Sequence, residues 1–144
     1  MEAIMKRTVL QIWLAIGLAI GLTVSAQAQI STEYRARIPF DFNVGNTTFK
    51  AGDYLIGLIN PKSNQQTLAI RDAKGRSNKV FIILPKETNA RRKVTKLVFH
   101  RYENQYFLSE MLTPTLGAEF LKSKQEERLA RNQKPNQETI AILK

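Results

Sequence analysis

Two apolar runs joined by a two-residue turn decide the fold: VTKLVFHRY, residues 94–102, and QYFLSEML, residues 105–112, with Glu103-Asn104 between them. Both runs are rich in the aromatic and branched side chains that favour strands, so they predict a long β-hairpin. In the simplest register, His100 lies opposite Phe107 and Phe99 lies opposite Leu108. Large apolar groups fall on both faces of this hairpin, which predicts a central place in the sheet.

The chain before the hairpin also alternates between extended runs and turns. Residues 38–44 place apolar and polar side chains in turn, with the period of two of a half-buried strand. Gly45-Asn46 then suits a tight hairpin turn. Residues 54–59 and 66–71 are further predicted strands, and the second ends at the type I turn Asp72-Ala73-Lys74-Gly75.

Residues 80–84, VFIIL, contain no polar side chain. Such a run is typical of a strand that is covered on both faces. Pro85 follows directly, and we expect it to end the strand. The sequence therefore predicts a short, fully buried strand here.

The tail of the chain has a different pattern. Ser123-Lys124-Gln125-Glu126 fits a capping box, in which the serine hydroxyl and the glutamate carboxylate each bind an unpaired amide at a helix start. It predicts a helix over residues 124–131, whose apolar side holds only Leu121 and Leu129. Residues 138–143 could add a last edge strand. The whole pattern predicts an all-β domain, a small antiparallel sandwich or barrel, with a short C-terminal helix.

The first 28 residues have the three parts of an export signal. Lys6 and Arg7 precede an apolar run of 16 residues, 9–24, and Ser25-Ala26-Gln27-Ala28 offers the small residues that signal peptidase accepts. The alternative is a retained membrane anchor, but a spanning helix needs about 20 apolar residues. We therefore expect export to the periplasm or outside the cell, with no stable membrane span after cleavage. We predict a cleaved signal helix at residues 1–28, a β-rich domain at residues 29–121, and a C-terminal helix with its tail at residues 122–144.

Composition narrows the class of partner. The full chain has 22 basic and 12 acidic residues and no cysteine, and removing residues 1–28 leaves 20 basic and 11 acidic residues, a net charge of +9. This excess favours contact with an anionic polysaccharide, a lipid headgroup or an envelope protein. A solvated surface explains the same charges without any partner. The predicted anionic-partner contacts are Arg91, Arg92, Lys93, Arg128 and Arg131.

The sequence offers few side chains for catalysis. His100 is the single histidine, and without cysteine a metal site would consist mostly of carboxylates, so we predict no catalytic residue, metal or cofactor. We expect His100 to pack against a neighbouring strand, with one ring nitrogen bound to backbone, Glu110 or Tyr102. The alternative is a hydrolase in which His100 works with Glu110 or Asp41. Aromatic and basic side chains alternate over residues 99–107, but core packing explains the aromatic ones, and a nucleic-acid partner is not expected.

Two segments carry a resemblance to a family. The first is Arg37-Ile38-Pro39-Phe40-Asp41-Phe42-Asn43-Val44-Gly45, followed by Ala51-Gly52-Asp53-Tyr54, and the second is Lys96-Leu97-Val98-Phe99-His100-Arg101-Tyr102, followed by Gln105-Tyr106-Phe107-Leu108. Over residues 35–131 the chain resembles an uncharacterised family of small exported β-rich bacterial proteins that is common in acidobacteria. The resemblance implies export and a β-rich domain, and it brings no activity and no catalytic residues. Members often have Leu-Pro before the Ala-Gly turn, where this chain has Phe49-Lys50.

From these observations we expect a basic, exported binding or structural module of the cell envelope or the extracellular space, and not an enzyme. A hydrolase that uses His100 is the alternative.

Overall fold

The structure is a computed structural model that describes residues 30–59, 66–88 and 93–142 of the chain. The predicted signal helix, residues 1–28, lies outside the described residues, and so do Arg91 and Arg92. The described residues form ten strands and one helix. In chain order these are β1 (Ile30–Ile38), β2 (Phe42–Val44), β3 (Thr47–Phe49), β4 (Gly52–Ile59), β5 (Thr67–Asp72), β6 (Asn78–Lys86), β7 (Thr95–Tyr102), β8 (Gln105–Leu112), β9 (Gly117–Phe120), α1 (Lys124–Asn132) and β10 (Asn136–Ile142).

Backbone hydrogen bonds connect the strands into one curled sheet. Its order is β1-β4-β5-β6-β9-β8-β7-β10, and every one of these neighbouring pairs is antiparallel. The short β2–β3 hairpin joins β8 by a parallel bridge between Asn43 and Phe107. β1 and β10, at the two ends of the order, contact each other. The sheet therefore almost closes into a small barrel, which confirms the predicted all-β fold with a short C-terminal helix.

The hydrophobic core fills the inside of this curled sheet. Phe42 stacks on Phe49 with ring centres 5.1 Å apart, and the edges of Tyr54 and Phe99 meet it at 5.4 and 5.6 Å. Aromatic pairs in such edge and stacked arrangements add to the stabilisation that burial alone gives. Because these four rings come from β2, β3, β4 and β7, the core joins strands that are far apart in sequence.

The β7–β8 hairpin has the predicted register. His100 pairs with Phe107, and Phe99 pairs with Leu108. The pairing shifts by one residue between Val98 and Phe99, which is a bulge that lets both strands curve. β7 lies between β8 and β10, and β8 contacts β7, β9 and β2, so the hairpin is central, as predicted.

The prediction of one strand over residues 38–44 is wrong. β1 ends at Ile38 and β2 begins at Phe42, so the chain changes direction between them. Pro39 has no N–H for a strand ladder. The Asp41 carboxylate instead accepts a hydrogen bond from the Ala51 backbone N–H at 2.9 Å, which holds the bend.

The prediction that residues 80–84 are covered on both faces is also wrong. Val80, Ile82 and Leu84 are 55%, 50% and 47% exposed. The strand is longer than predicted and continues through Pro85, as β6. The Ile83 N–H donates to the Gln66 carbonyl on the β5 side. By alternation the nitrogen of Pro85 points to that same side, beyond the last described β5–β6 pair, so the proline removes none of the described ladder bonds.

The helix α1 begins where its capping sequence predicts. The Ser123 Oγ accepts a hydrogen bond from the Glu126 backbone N–H at 3.1 Å. Leu129 is half-buried, but Leu121 precedes the helix and is 52% exposed, so its predicted place on the apolar side of the helix is wrong. The predicted last strand is β10, which pairs with β7. Within residues 30–59, 66–88 and 93–142, no helix is long and apolar enough to cross a membrane.

The outer side of β7 and β8 lies under α1. The Gln125 Nε2 donates to the Gln105 Oε1 at 2.8 Å, and Glu126 contacts His100. Tyr102 and Phe107 on the same side of these strands are only 2% and 1% exposed. The barrel therefore buries apolar groups both inside the sheet and, over this one hairpin, outside it.

Candidate functional site

The single histidine meets a carboxylate that the sequence analysis assigned to another role. His100 Nδ1 lies 3.1 Å from Glu126 Oε1, and the two side chains are only 15% and 5% exposed. Glu126 was expected to close the capping box with its carboxylate. Its backbone N–H does bind Ser123, but the carboxylate points across to β7 instead. Because the sequence spacing assigned the Glu126 carboxylate to the helix cap, it did not identify Glu126 as the partner of His100.

Neither carboxylate expected beside His100 is its partner. Glu110 forms an ion pair with Lys86 of β6. Asp41 accepts from the Lys50 Nζ at 3.1 Å and from the Ala51 N–H. Both expectations are therefore corrected: the pairing of His100 with Glu110 and its pairing with Asp41.

The His100–Glu126 pair lies beside a buried tyrosine. Burial raises the pKa of Tyr102, and the nearby Glu126 charge raises it further. Nucleophilic catalysis needs a hydroxyl or thiol hydrogen-bonded to the base. In the described part of the chain, the only side chain recorded within hydrogen-bond distance of His100 is Glu126. The contact between His100 and Glu126 joins α1 to β7.

The predicted cationic contacts do not form one surface. Lys93 is exposed just before β7, and Arg128 and Arg131 are exposed on α1. Asn136, just after the helix, pairs with Arg101, whereas the Lys93 end of β7 pairs with Ile142. Six residues of strand separate these ends, which is about 20 Å. Lys93 therefore lies far from the two helix cations, and Arg91 and Arg92 are outside the described residues.

A surface cleft lies on a different part of the barrel. Its volume is about 470 Å³, and its walls are the end of β1, the start of β4 and the turn between β5 and β6. Four of its lining side chains are cationic and two are carboxylates. These are Arg37, Lys50, Lys74, Arg76, Asp53 and Asp72.

Ion pairs hold three of the four cations in place. Arg37 Nε donates to Asp53 at 2.9 Å, and Arg76 Nη2 donates to Asp72 at 3.0 Å. Lys50 binds Asp41, which stands just outside the cleft. The Arg37 hydrogen bond lowers the pKa of Asp53. The pKa of Asp72 is lowered first by the Lys74 backbone N–H and then by Arg76. Both carboxylates therefore stay ionised and keep their cations oriented.

Lys74 differs from the other three cations. It is exposed in the turn between β5 and β6, and its side chain has no carboxylate partner among the described residues. Its backbone N–H binds the Asp72 carboxylate at 2.8 Å, which fixes the turn. The Tyr54 hydroxyl donates to the Lys50 carbonyl at 2.6 Å on the opposite wall. The walls of the cleft are thus fixed, while Lys74 extends from one of them.

Sequence reasoning did not find this cleft. Its charged residues come from three segments, around residues 37, 50–53 and 72–76, and only the curled sheet brings them together. The local signals were the alternating Arg35 and Arg37 and the charged turn after β5. None of these signals indicates a site by itself, because charges on turns and strand edges are most often only solvated.

Within the described residues, no three histidine or acidic side chains are grouped so that they could hold a metal ion. Comparisons with protein-family models, with curated proteins and with solved structures found no match. The resemblance to the exported bacterial family therefore stays a prediction.

Proposed function

We propose that the chain is an exported, non-catalytic binding module and that its main ligand is an anionic polysaccharide. The observation that carries the proposal is the charge of the 470 Å³ cleft, where four cations face two carboxylates that are already paired. Clefts of this size are typical of small-ligand and chain-segment sites. Export to the periplasm or outside the cell, as expected from the leader, would expose the cleft to such polymers.

The geometry of the cations supports recognition of carboxylates on a polymer. The Arg37 and Arg76 side chains are 84% and 70% exposed although each is ion-paired. A guanidinium has five donors, so binding one aspartate leaves others for a ligand carboxylate. Because the aspartates fix the direction of these arginines, binding a ligand costs less conformational entropy than ordering loose side chains would.

A concave site favours a polymer over a lipid surface. A bilayer is flat and would contact projecting cations together with apolar groups beside them. The most exposed aliphatic side chains of β6 line a separate cleft that shares no residue with this one. The predicted contacts Lys93, Arg128 and Arg131 would then add only long-range attraction, which salt screens.

The test compares two double variants that remove the same net charge. Arg37→Gln with Lys74→Gln alters the cleft, and Arg128→Gln with Arg131→Gln alters α1. Binding to polygalacturonate is measured by calorimetry at low salt, with neutral dextran as the control polymer. We expect the cleft variant to bind at least about tenfold more weakly, a loss of roughly 1.4 kcal/mol, and the helix variant to change little.

Two results would overturn this proposal. Equal weakening in both variants would mean that only total charge matters, and undetectable binding at low salt would remove the ligand class.

The hydrolase hypothesis rests on the His100–Glu126 pair. The buried carboxylate orients the imidazole, as a base would require. If the purified protein hydrolyses ester or glycoside substrates, and His100→Gln abolishes that activity while the thermal unfolding midpoint stays close to that of the parent, the non-catalytic proposal fails. We expect no such activity.

A further inference from the structure

Strand β6 changes its hydrogen-bonding partner halfway along. Residues 78–82 pair with β5 on one side, from Asn78 opposite Arg71 to Ile82 opposite Thr67. Residues 83–86 pair with β9 on the other side, and β9 ends at Phe120, opposite Ile83. The first half of β6 therefore has β5 beside it, but the β9 ladder does not reach it.

The backbone groups of that first half can be assigned to sides. The Ile83 N–H donates to the Gln66 carbonyl on the β5 side. Successive residues of a strand direct their backbone groups to alternate sides. The N–H and C=O of Asn78, Val80 and Ile82 therefore point away from β5. Leu121 follows the last paired residue of β9 and lies opposite Ile82, so Asn78 and Val80 are the two residues with no backbone neighbour recorded on that side among the described residues. We call this side of residues 78–80 the open edge.

An apolar cleft runs beside the open edge. Its volume is about 310 Å³, and its lining residues are Val44, Gly45, Val80, Phe81, Ile82, Phe120 and Leu121. Val80, Ile82 and Leu121 are each about half exposed, at 55%, 50% and 52%. Natural proteins usually protect an edge of this kind with charge, proline or a cover, because it invites another strand. Here the edge and an apolar surface for the incoming side chains lie together.

We propose that the open edge binds an extended segment of a partner protein, which adds a strand to β6 and places alternate apolar side chains in the cleft while carboxylates flank them. Strand addition of this kind takes affinity from backbone hydrogen bonds and specificity from side-chain pockets. The segment pairs with Asn78 and Val80, so the recognised core spans about four or five residues, at roughly 3.3 Å each.

Charge selects this occupant over a second copy of the chain. None of the residues lining the cleft is charged, and the exposed Lys79 and Lys122 adjoin them in sequence. Neither lysine forms an ion pair within the described residues. Two copies meeting through β6 would bring together two chains that each have a net charge of +9 without residues 1–28, with these lysines next in sequence to the contact. An acidic segment gains from the same lysines.

The test uses a synthetic nine-residue peptide that alternates valine with glutamate, labelled for fluorescence anisotropy, and the protein as its host exports it. Val80→Pro removes the N–H that faces the open edge and leaves the β5 side unchanged, so the fold tolerates it. We expect binding to weaken at least about tenfold. Circular dichroism and thermal unfolding check that the variant is folded.

A side-chain pair of variants gives a second, independent readout. Ile82→Ser alters the cleft, and Val94→Ser is the matched control because Val94 is equally exposed, at 57%, outside the cleft. We expect weaker peptide binding for the first variant only. Arg37→Gln with Lys74→Gln should leave peptide binding unchanged, so the outcome is separate from that of the polysaccharide proposal.

Three results would overturn the inference. One is unchanged affinity in Val80→Pro. Another is equal affinity for a control peptide in which lysine replaces every glutamate. The third is a dimer in sedimentation analysis that Ile82→Ser dissociates, since it would make a second copy the occupant.

Discussion

Strands β6 and β7 both have apolar side chains on both faces, yet the outward side chains of β7 are buried and those of β6 are exposed. On β7, Val98 and Tyr102 point outward and are 5% and 2% exposed. On β6, Val80 and Ile82 point outward and are about half exposed. The difference lies in what the chain does next. α1 contacts β7 and β8 through His100–Glu126 and Gln105–Gln125, whereas a third outward side chain of β6, Leu84, is also 47% exposed.

This contrast shows what an apolar run in a sequence can and cannot tell. An apolar run indicates that a strand face can be buried. Whether it is buried depends on a segment distant in sequence that packs over that face. For β7 the cover is in the same chain, about 25 residues further on. For β6 the outward apolar side chains stay about half exposed, so the same kind of apolar run did not predict burial.

The largest expected effect comes from a substitution on the outer side of β8, beneath α1. Phe107→Ala removes a ring that is 1% exposed beneath α1, so it should lower the free energy of unfolding by about 3–5 kcal/mol. Urea denaturation measures the change. A loss below about 1 kcal/mol would mean that the outer side of β8 is not a second core.

A smaller effect is expected from a substitution that weakens the N-terminal cap of α1. Ser123→Ala removes the hydroxyl that accepts the Glu126 N–H, and the expected loss is about 1 kcal/mol. Ser123→Asp, which keeps an acceptor at the cap, is the matched control and should lose much less. Amide exchange should rise in α1 and stay unchanged in β4 and β5. Uniform exchange across the barrel would contradict the view of α1 as a separate cover.

Acid should act on the uncovered side, at the turn that leads into β6. The pKa of Asp72 is lowered below its ordinary 3.8, first by the Lys74 N–H and then by Arg76. Since the folded pKa lies below the unfolded one, this carboxylate stabilises the fold fully above about pH 4, and the contribution is lost as pH falls through the folded pKa. Stability of Asp72→Asn should therefore fall less steeply over that range than stability of the parent.

The control for this acid test is Glu127→Gln, which removes one exposed carboxylate from α1. Both variants remove one negative charge, so the comparison separates the position of Asp72 from the overall change in charge. If Asp72→Asn and the parent have the same slope below pH 4, Asp72 is not the group responsible.

The smallest effect is expected on β6. Ile82→Thr changes an outward side chain that is 50% exposed, keeps β-branching and should change the free energy of unfolding by no more than about 0.5 kcal/mol. The same variant should still weaken the valine–glutamate peptide. A loss as large as that of Phe107→Ala would show that β6 has a cover after all.

Local signals predicted the parts of the fold that local physics controls. The β7–β8 register follows from a two-residue turn and two matched apolar runs, and the Ser123 cap from a spacing of three residues. The turn at residues 72–75 is confirmed, with Gly75 at a φ of 72° and its N–H on the Asp72 carbonyl. β9 was missed because residues 117–120 are too few to reveal a period.

The candidate site could not be predicted in the same way. Arg37 meets Asp53 because β1 and β4 pair in one register, and Asp72 reaches the same cleft because β5 lies next to β4. Each contact depends on strand order, which alternating patterns do not encode. Glu126 shows this most clearly. The capping sequence correctly predicted that its backbone N–H binds Ser123, but it wrongly predicted that its carboxylate binds at the helix start, since the carboxylate contacts His100.

The contact between β1 and β10 sets a condition on biosynthesis. Asn136 follows Ile38 by 98 positions, so the ring of strands cannot close until nearly all of this domain has left the ribosome. Pairings this distant in sequence form slowly, and nascent chains that still lack them expose strand edges to chaperones. Until β10 has left the ribosome, β7 lacks its second neighbour and keeps an unpaired edge that another strand could bind.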